Sequence, residues 1–408
     1  MAAPASALRR VPLLLLAGLS LLAGLDAALL LLGLPAPVTT DRLPDVHGML
    51  MVLGFVGTLV SLERAVALRR WWGFGSPLLL GLGALALLSP LPLAVGRGLL
   101  TAGSVALVVV YVPLFRRSRD TAVLCQQLGA VAAACGALLW WAGAPMPATI
   151  PWLTAFVVTT IAGERLELAR VAMSGLRPGD RTRADRAILA VCVATVLGAA
   201  AATAWPEAGH SLLGAALLAL CAWLAGHDVA RRTVRSTGLP RFTAVCLLAA
   251  YAWLAVAGAI WLLGGPQTSG PGYDAVLHSV FLGFTISMIM AHAPVILPAV
   301  LRVPLPYHPA MYVPAAVLHV TLVLRVAVGD ARDVPALVTI AGVGNVVAML
   351  GFVVTNVVVG VLAARSARRG REARAETARA RASARAAAEA PDAHPADSDP
   401  PAQEASAR

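Results

Sequence analysis

Apolar runs of about 20 residues, separated by short polar breaks, fill the chain from residue 11 to residue 363. They fall at roughly 11–34, 44–68, 77–95, 97–115, 121–142, 149–171, 186–205, 211–229, 241–264, 274–300, 310–328 and 335–363. A helical run of this length crosses the hydrocarbon core of a bilayer, so the pattern predicts an all-α polytopic membrane protein with twelve transmembrane helices. The breaks carry helix-stop and turn signals: Pro35 and Pro37, Pro90 and Pro92, Gly143-Ala144-Pro145, Gly265-Pro266 and Gly270-Pro271. The third and fourth runs are separated only by Ser89 to Gly98.

Composition agrees. Of 408 residues 59% are hydrophobic and 13% charged, against about 25% charged in a soluble domain. Mean hydropathy is +0.78. This excludes a secreted disulfide scaffold, a soluble enzyme and a nucleic-acid-binding domain, although the pI is near 10.6. The chain has no lysine, and its 32 basic residues are all arginine. With a cytoplasmic N-terminus and twelve alternating spans, 28 arginines fall on the cytoplasmic side and 4 (Arg42, Arg97, Arg325, Arg332) outside. That division satisfies the positive-inside rule and places both termini in the cytoplasm. Arg9-Arg10 before an apolar run imitates a signal peptide, but the run is too long for a signal h-region and is taken as a retained first helix. The membrane domain then covers 1–363. Residues 364–408 form a cytoplasmic tail, first a basic Ala/Arg/Glu helix near the anionic leaflet and then a disordered stretch. Cys125, Cys135, Cys192, Cys221 and Cys246 show no metal or redox spacing and are expected to be small buried hydrophobes.

Polar residues inside a membrane are costly, and three segments carry them in register. Phe55, Phe156 and Phe284 are each followed three residues on by a hydroxyl (Thr58, Thr159, Ser287). Eight residues on, each has a titratable group: Glu63, Glu164 and His292. The segments concerned are the second, sixth and tenth, so the chain reads as three four-helix units in a pseudo-threefold arrangement. In the derived topology all three run inward, and two polar levels result. The outer holds His47 and His278, with Asp26 and Arg325; the inner, roughly 20–25 Å deeper, holds Glu63, Glu164 and His292.

Each level has a chemistry. Two neutral imidazoles at equal depth on two helices are what bis-histidine ligation of a b-type haem requires. Gly48, Gly54, Gly57 and Gly283 would leave room for a flat macrocycle, and Arg325, Arg42 or Arg97 would neutralise its propionates. The competing reading has each histidine capped by a loop carbonyl at the interface. Two carboxylates and an imidazole at the inner level suit a divalent metal or a proton path. There the competing reading is an ion-paired floor built with Arg64, Arg165 and Glu167. His319 and Asn345 are expected to make interhelical hydrogen bonds.

The run His47-Gly48-x-x-Met51-Val52-x-Gly54-Phe55, together with His278-x4-Gly283-Phe284, resembles the NnrS family of bacterial haem- and copper-containing membrane proteins. Gly163-Glu164-Arg165 is similar to that family's Gly-Gly-Arg-like segment six, and the family also has twelve spans. More distantly the arrangement is similar to subunit I of the haem–copper oxidases. The resemblance implies a multi-pass protein of the bacterial cytoplasmic membrane, with haem ligands His47 and His278. It also implies a redox partner or small gaseous ligand, and a role in nitric oxide or redox stress handling or electron transfer. Copper enters by this resemblance alone. The chain departs from the pattern in having Gly48 where the family has Glu, no second upstream histidine, no histidine in segment seven and no His-His or His-x-His pair. The imidazoles of an oxidase-type haem–copper centre are therefore missing. Two further functions remain open from the residues themselves: an ion- or proton-coupled small-solute transporter using Glu63, Glu164 and His292, or a structural subunit without chemistry.

Overall fold

The computed structural model describes residues 10–173, 175, 177–301 and 305–388, and among these there is no strand. Twelve helices are long and apolar enough to cross a membrane. They are α1 (Val11–Leu31), α2 (Arg42–Leu68), α3 (Trp71–Leu88), α4 (Leu93–Ser118), α5 (Thr121–Trp141) and α6 (Met146–Arg170), followed by α7 (Gly179–Ala204), α8 (Pro206–His227), α9 (Gly238–Gly264), α10 (Gly270–Pro298) and α11 (Pro309–Asp330). The last, α12 (Pro335–Ala388), opens with its apolar part. The protein is a multi-pass helical membrane protein. By internal contacts one compact unit runs to Gly360, and a second, helical and surface-exposed through the arginine-rich stretch, starts at Val361.

Local chemistry sets the helix ends. Proline occupies the first turn of α1, α8, α10 and α11, where its missing N–H is no loss. Gly143 and Gly265 leave α5 and α9 at φ +96° and +63°, a region closed to most side chains. Asp120 accepts the Ala122 N–H at 2.7 Å and so caps α5. The third span starts earlier than its hydropathy suggests. A 3-10 turn over Trp71–Phe74 leads into it, and the break before α4 shrinks to the Pro90/Pro92 segment.

Consecutive helices pack on one another, most extensively α5 on α6, α7 on α8 and α3 on α4, and also across the expected unit boundaries, α4 on α5 and α8 on α9. The three aligned segments agree only in part. In α2 the backbone is π-helical over Leu50–Gly57, and in α10 over Ser279–Ile286, in each case around the Gly-Phe pair. By contrast, α6 stays α-helical from Met146 to Ala172. The matched hydroxyls also diverge. Thr159 bonds back to the Ala155 carbonyl at 2.7 Å, Ser287 lies 3.5 Å from His319 Nε2, and the buried Thr58 hydroxyl has no partner. His319 and Asn345 make the expected interhelical bonds, from Trp253 Nε1 (3.1 Å) and to Thr321 Oγ1 (2.7 Å). All five cysteines are free thiols.

Candidate functional site: a two-histidine cavity

A cavity of about 760 Å³ opens between α1, α2, α10, α11, α12 and the α5–α6 connection, within the range of small-molecule and cofactor sites. His47, His278 and Arg325 all line it, so the structure brings together three of the four outer residues that the sequence singled out; the fourth, Asp26, instead accepts the Val38 N–H at 3.2 Å. Its remaining wall is mostly apolar, with Leu25, Met51, Phe281 and Met349 among the contributors.

Three π-helical segments meet at this cavity. Those of α2 and α10 begin just after His47 and His278, and that of α11, Leu324–Asp330, contains Arg325. A π turn carries one extra residue per turn and re-aims the side chains around it, which is why such turns recur at functional sites. Thr285 follows this geometry, since its hydroxyl bonds the Val280 carbonyl five residues back at 3.0 Å.

Both imidazoles are held in the same way. His47 Nδ1 lies 2.9 Å from the Gly24 carbonyl on α1, and His278 Nδ1 lies 2.8 Å from the Asp274 carbonyl in its own helix. A carbonyl can only accept, so Nδ1 carries a proton in both rings, and Nε2 is the nitrogen that bears the lone pair whenever the ring is neutral. Among the described residues neither Nε2 has a hydrogen-bond partner. The Asp274 carboxylate adds a second contact to His278 Nδ1 at 3.2 Å and grips Arg325 through Nε and Nη2 at 2.7 and 2.8 Å. Sequence reasoning missed Asp274. The signal was its position one helical turn before His278.

The glycines act differently from expectation. A Cβ on Gly54 would sit 2.9 Å from Ala84 Cβ, one on Gly57 3.5 Å from Leu80 Cδ1, and one on Gly283 2.4 Å from Trp253 Cγ. Gly54 and Gly283 let helices approach each other, Gly57 would take a Cβ in ordinary contact, and none of the three lines the chamber. Of the four, Gly48 lines the cavity, where an added Cβ would meet the flexible Met146 thioether at 3.3 Å.

At the other polar level the expected trio separates into two networks. Arg165 and Asp228, 1% and 0% exposed, form a bidentate pair at 2.7 and 2.8 Å, and the Tyr251 hydroxyl donates to Asp228 at 2.6 Å. His292 belongs here: Nδ1 donates to the Met288 carbonyl at 2.8 Å, and Nε2 accepts from Arg165 Nη1 at 3.2 Å. Both ring nitrogens are committed, so His292 has no lone pair left for a metal. Glu63 pairs with Arg64, which also donates to Gln126 Oε1 at 3.0 Å, and Glu164 and Glu167 lie within the field of the same guanidinium. Among the described residues no three His, Cys, Asp or Glu side chains gather as a metal-ligand set, and Glu63, Glu164 and His292 are not one. Two ion pairs lie at this level, Glu63–Arg64 and Arg165–Asp228.

Asp228, just beyond the end of α8, was also missed, because a carboxylate between two helices reads as a solvated loop residue. Burial alone would raise its carboxyl. The hydrogen bonds and charge of Arg165, with the Tyr251 hydroxyl and the Ala230 N–H, instead hold it below the usual carboxylate value. Asp120 in the α4–α5 turn is held down likewise against burial, chiefly by Arg170.

Fold and cavity together define a twelve-span helical membrane protein with two histidines lining one mostly apolar chamber. Residues 10–361 match the family described as a domain of unknown function (DUF8744), and the chain belongs to that family. No curated protein and no solved structure matches it.

Proposed function

We propose that the cavity holds a b-type haem with His47 and His278 as its two axial ligands. The observation that carries this reading is the shared tautomer. Each Nδ1–H is spent on a backbone carbonyl, and each Nε2 lone pair is left unpartnered in one largely apolar cavity of about 760 Å³. A metal-ligating histidine ordinarily has its second nitrogen fixed in this manner, and Asp274 adds a carboxylate behind His278. A haem so held supplies one-electron transfer. The chain's own part is to orient the imidazoles through their Nδ1 hydrogen bonds and to surround the ligand with an apolar wall.

The resemblance to NnrS-type proteins adds nitric oxide or redox stress handling as the setting, with a redox partner. The arginine distribution supports both termini inside and the cavity toward the outer face, and the resemblance implies a bacterial cytoplasmic membrane. The commitment of both His292 ring nitrogens counts against the transporter reading of the opposite level.

The test is a reduced-minus-oxidised absorbance spectrum with a pyridine haemochrome assay on detergent-purified protein, expressed with haem in excess. A six-coordinate b-type signal that disappears in His47→Ala and in His278→Ala supports the assignment. A colourless wild-type protein overturns it.

A further inference from the structure

Three arginines could face a ligand in the cavity, and the structure separates them. Arg42 donates Nη1 to the carbonyls of Ser89 and Leu91, tying down the α3–α4 break. Arg325 is neutralised by Asp274. Arg97, on the first turns of α4, lines the cavity with its guanidinium carbon 4.5 Å from the centre of the Trp140 ring. Its Nε is buried without a hydrogen-bond partner, and among the described residues no carboxylate lies within ion-pair distance. Asp45, the other acid lining the cavity, forms no ion pair with it.

Arg97 is half-buried in a mostly apolar wall and stacks on an indole, with no counter-ion from the chain among the described residues. A cation so placed on a cavity wall suits an anion from outside the chain. The geometry points to a ligand that is an amphipathic acid: an apolar body filling the cavity, with a carboxylate paired to Arg97. This rests on the cavity being the ligand site proposed above. Two sources share that chemistry, a haem propionate and a lipid carboxylate.

The experiment is a binding titration of purified wild-type and Arg97→Gln protein with four probes: haemin, haemin dimethyl ester, oleate and methyl oleate. Wild type is expected to bind the free acid of one pair about tenfold more tightly than its ester, the scale of one charge-assisted hydrogen bond. In Arg97→Gln that preference is lost while the ester binds unchanged. The variant's ligand-free melting temperature should hold, because the half-buried Arg97 has no ion pair within the described residues to lose. A preference shown by haemin identifies the propionate. A preference shown by oleate alone, with no haemin binding, identifies the lipid acid and removes the haem reading while the Arg97 inference stands. Haemin and its ester binding equally well to both proteins would overturn the inference and leave the haem reading intact. Failure of all four probes to bind overturns both.

Discussion

Asp274 holds His278 twice, through its backbone carbonyl 2.8 Å from Nδ1 and through its carboxylate at 3.2 Å. The same carboxylate neutralises Arg325, so one acid sets the tautomer of a cavity imidazole and compensates a cation on another helix.

Asp274→Asn keeps the shape of the side chain and removes its charge. Haem affinity is expected to fall about 10–100-fold, the usual cost of losing a carboxylate behind a ligating histidine. Haem titration checks this. His278→Ala in the same assay should abolish binding, whereas the Asn variant should retain a weaker six-coordinate spectrum.

At the opposite polar level the effect is on stability. Asp228→Asn leaves the fully buried Arg165 without its counter-charge, and a loss of about 3–5 kcal/mol is expected. His292→Ala removes one neutral acceptor of the same guanidinium, at a cost of about 1.5–3 kcal/mol. Thermal unfolding in detergent should therefore rank Asp228→Asn below His292→Ala. Bound metal, measured by elemental analysis, should be the same in the His292 variant as in wild type.

Asp228 also predicts an acid limb. Its folded carboxyl is held below the unfolded value, so its contribution to stability is complete above the unfolded pKa of about 3.9. The contribution is lost as pH falls through the lower, folded value. Melting temperature as a function of pH should drop in acid for wild type and more shallowly for Asp228→Asn. An equally steep fall in both proteins would remove Asp228 as the cause.

Two glycines on the aligned segments should respond oppositely to alanine. A Cβ on Gly283 meets the Trp253 ring at 2.4 Å, and such overpacking costs about 1–3 kcal/mol. Gly48→Ala meets only the movable end of Met146 and should leave the melting temperature unchanged while narrowing the cavity. Comparing melting temperature and ligand affinity of the two variants distinguishes a packing glycine from a lining one.

The helix count and approximate spans were legible in the sequence. A bilayer-crossing helix needs about 20 apolar residues, and the Pro and Gly breaks are chemically explicit. The outer-level residues were legible because a polar side chain in an apolar run has few reasons to be there. Asp274 and Asp228 were not, since an acid near a helix end is ordinary at the level of sequence. Gly54, Gly57 and Gly283 were assigned to empty space, but a glycine marks close approach as readily as a void, and only the neighbouring backbone distinguishes the two.

By itself, then, the sequence determined a twelve-helix membrane protein and singled out His47, His278 and Arg325, which line one cavity. Those features depend on length, hydropathy and position along a helix, which are local properties. Tertiary structure alone decided that three π-helical segments converge on one cavity, that Arg325 is compensated and Arg97 is not, and that His292 is consumed by Arg165. Each of these is a question of which partner a donor or lone pair finds. Partners such as Arg165 and His292, 127 positions apart, meet only when the helices pack.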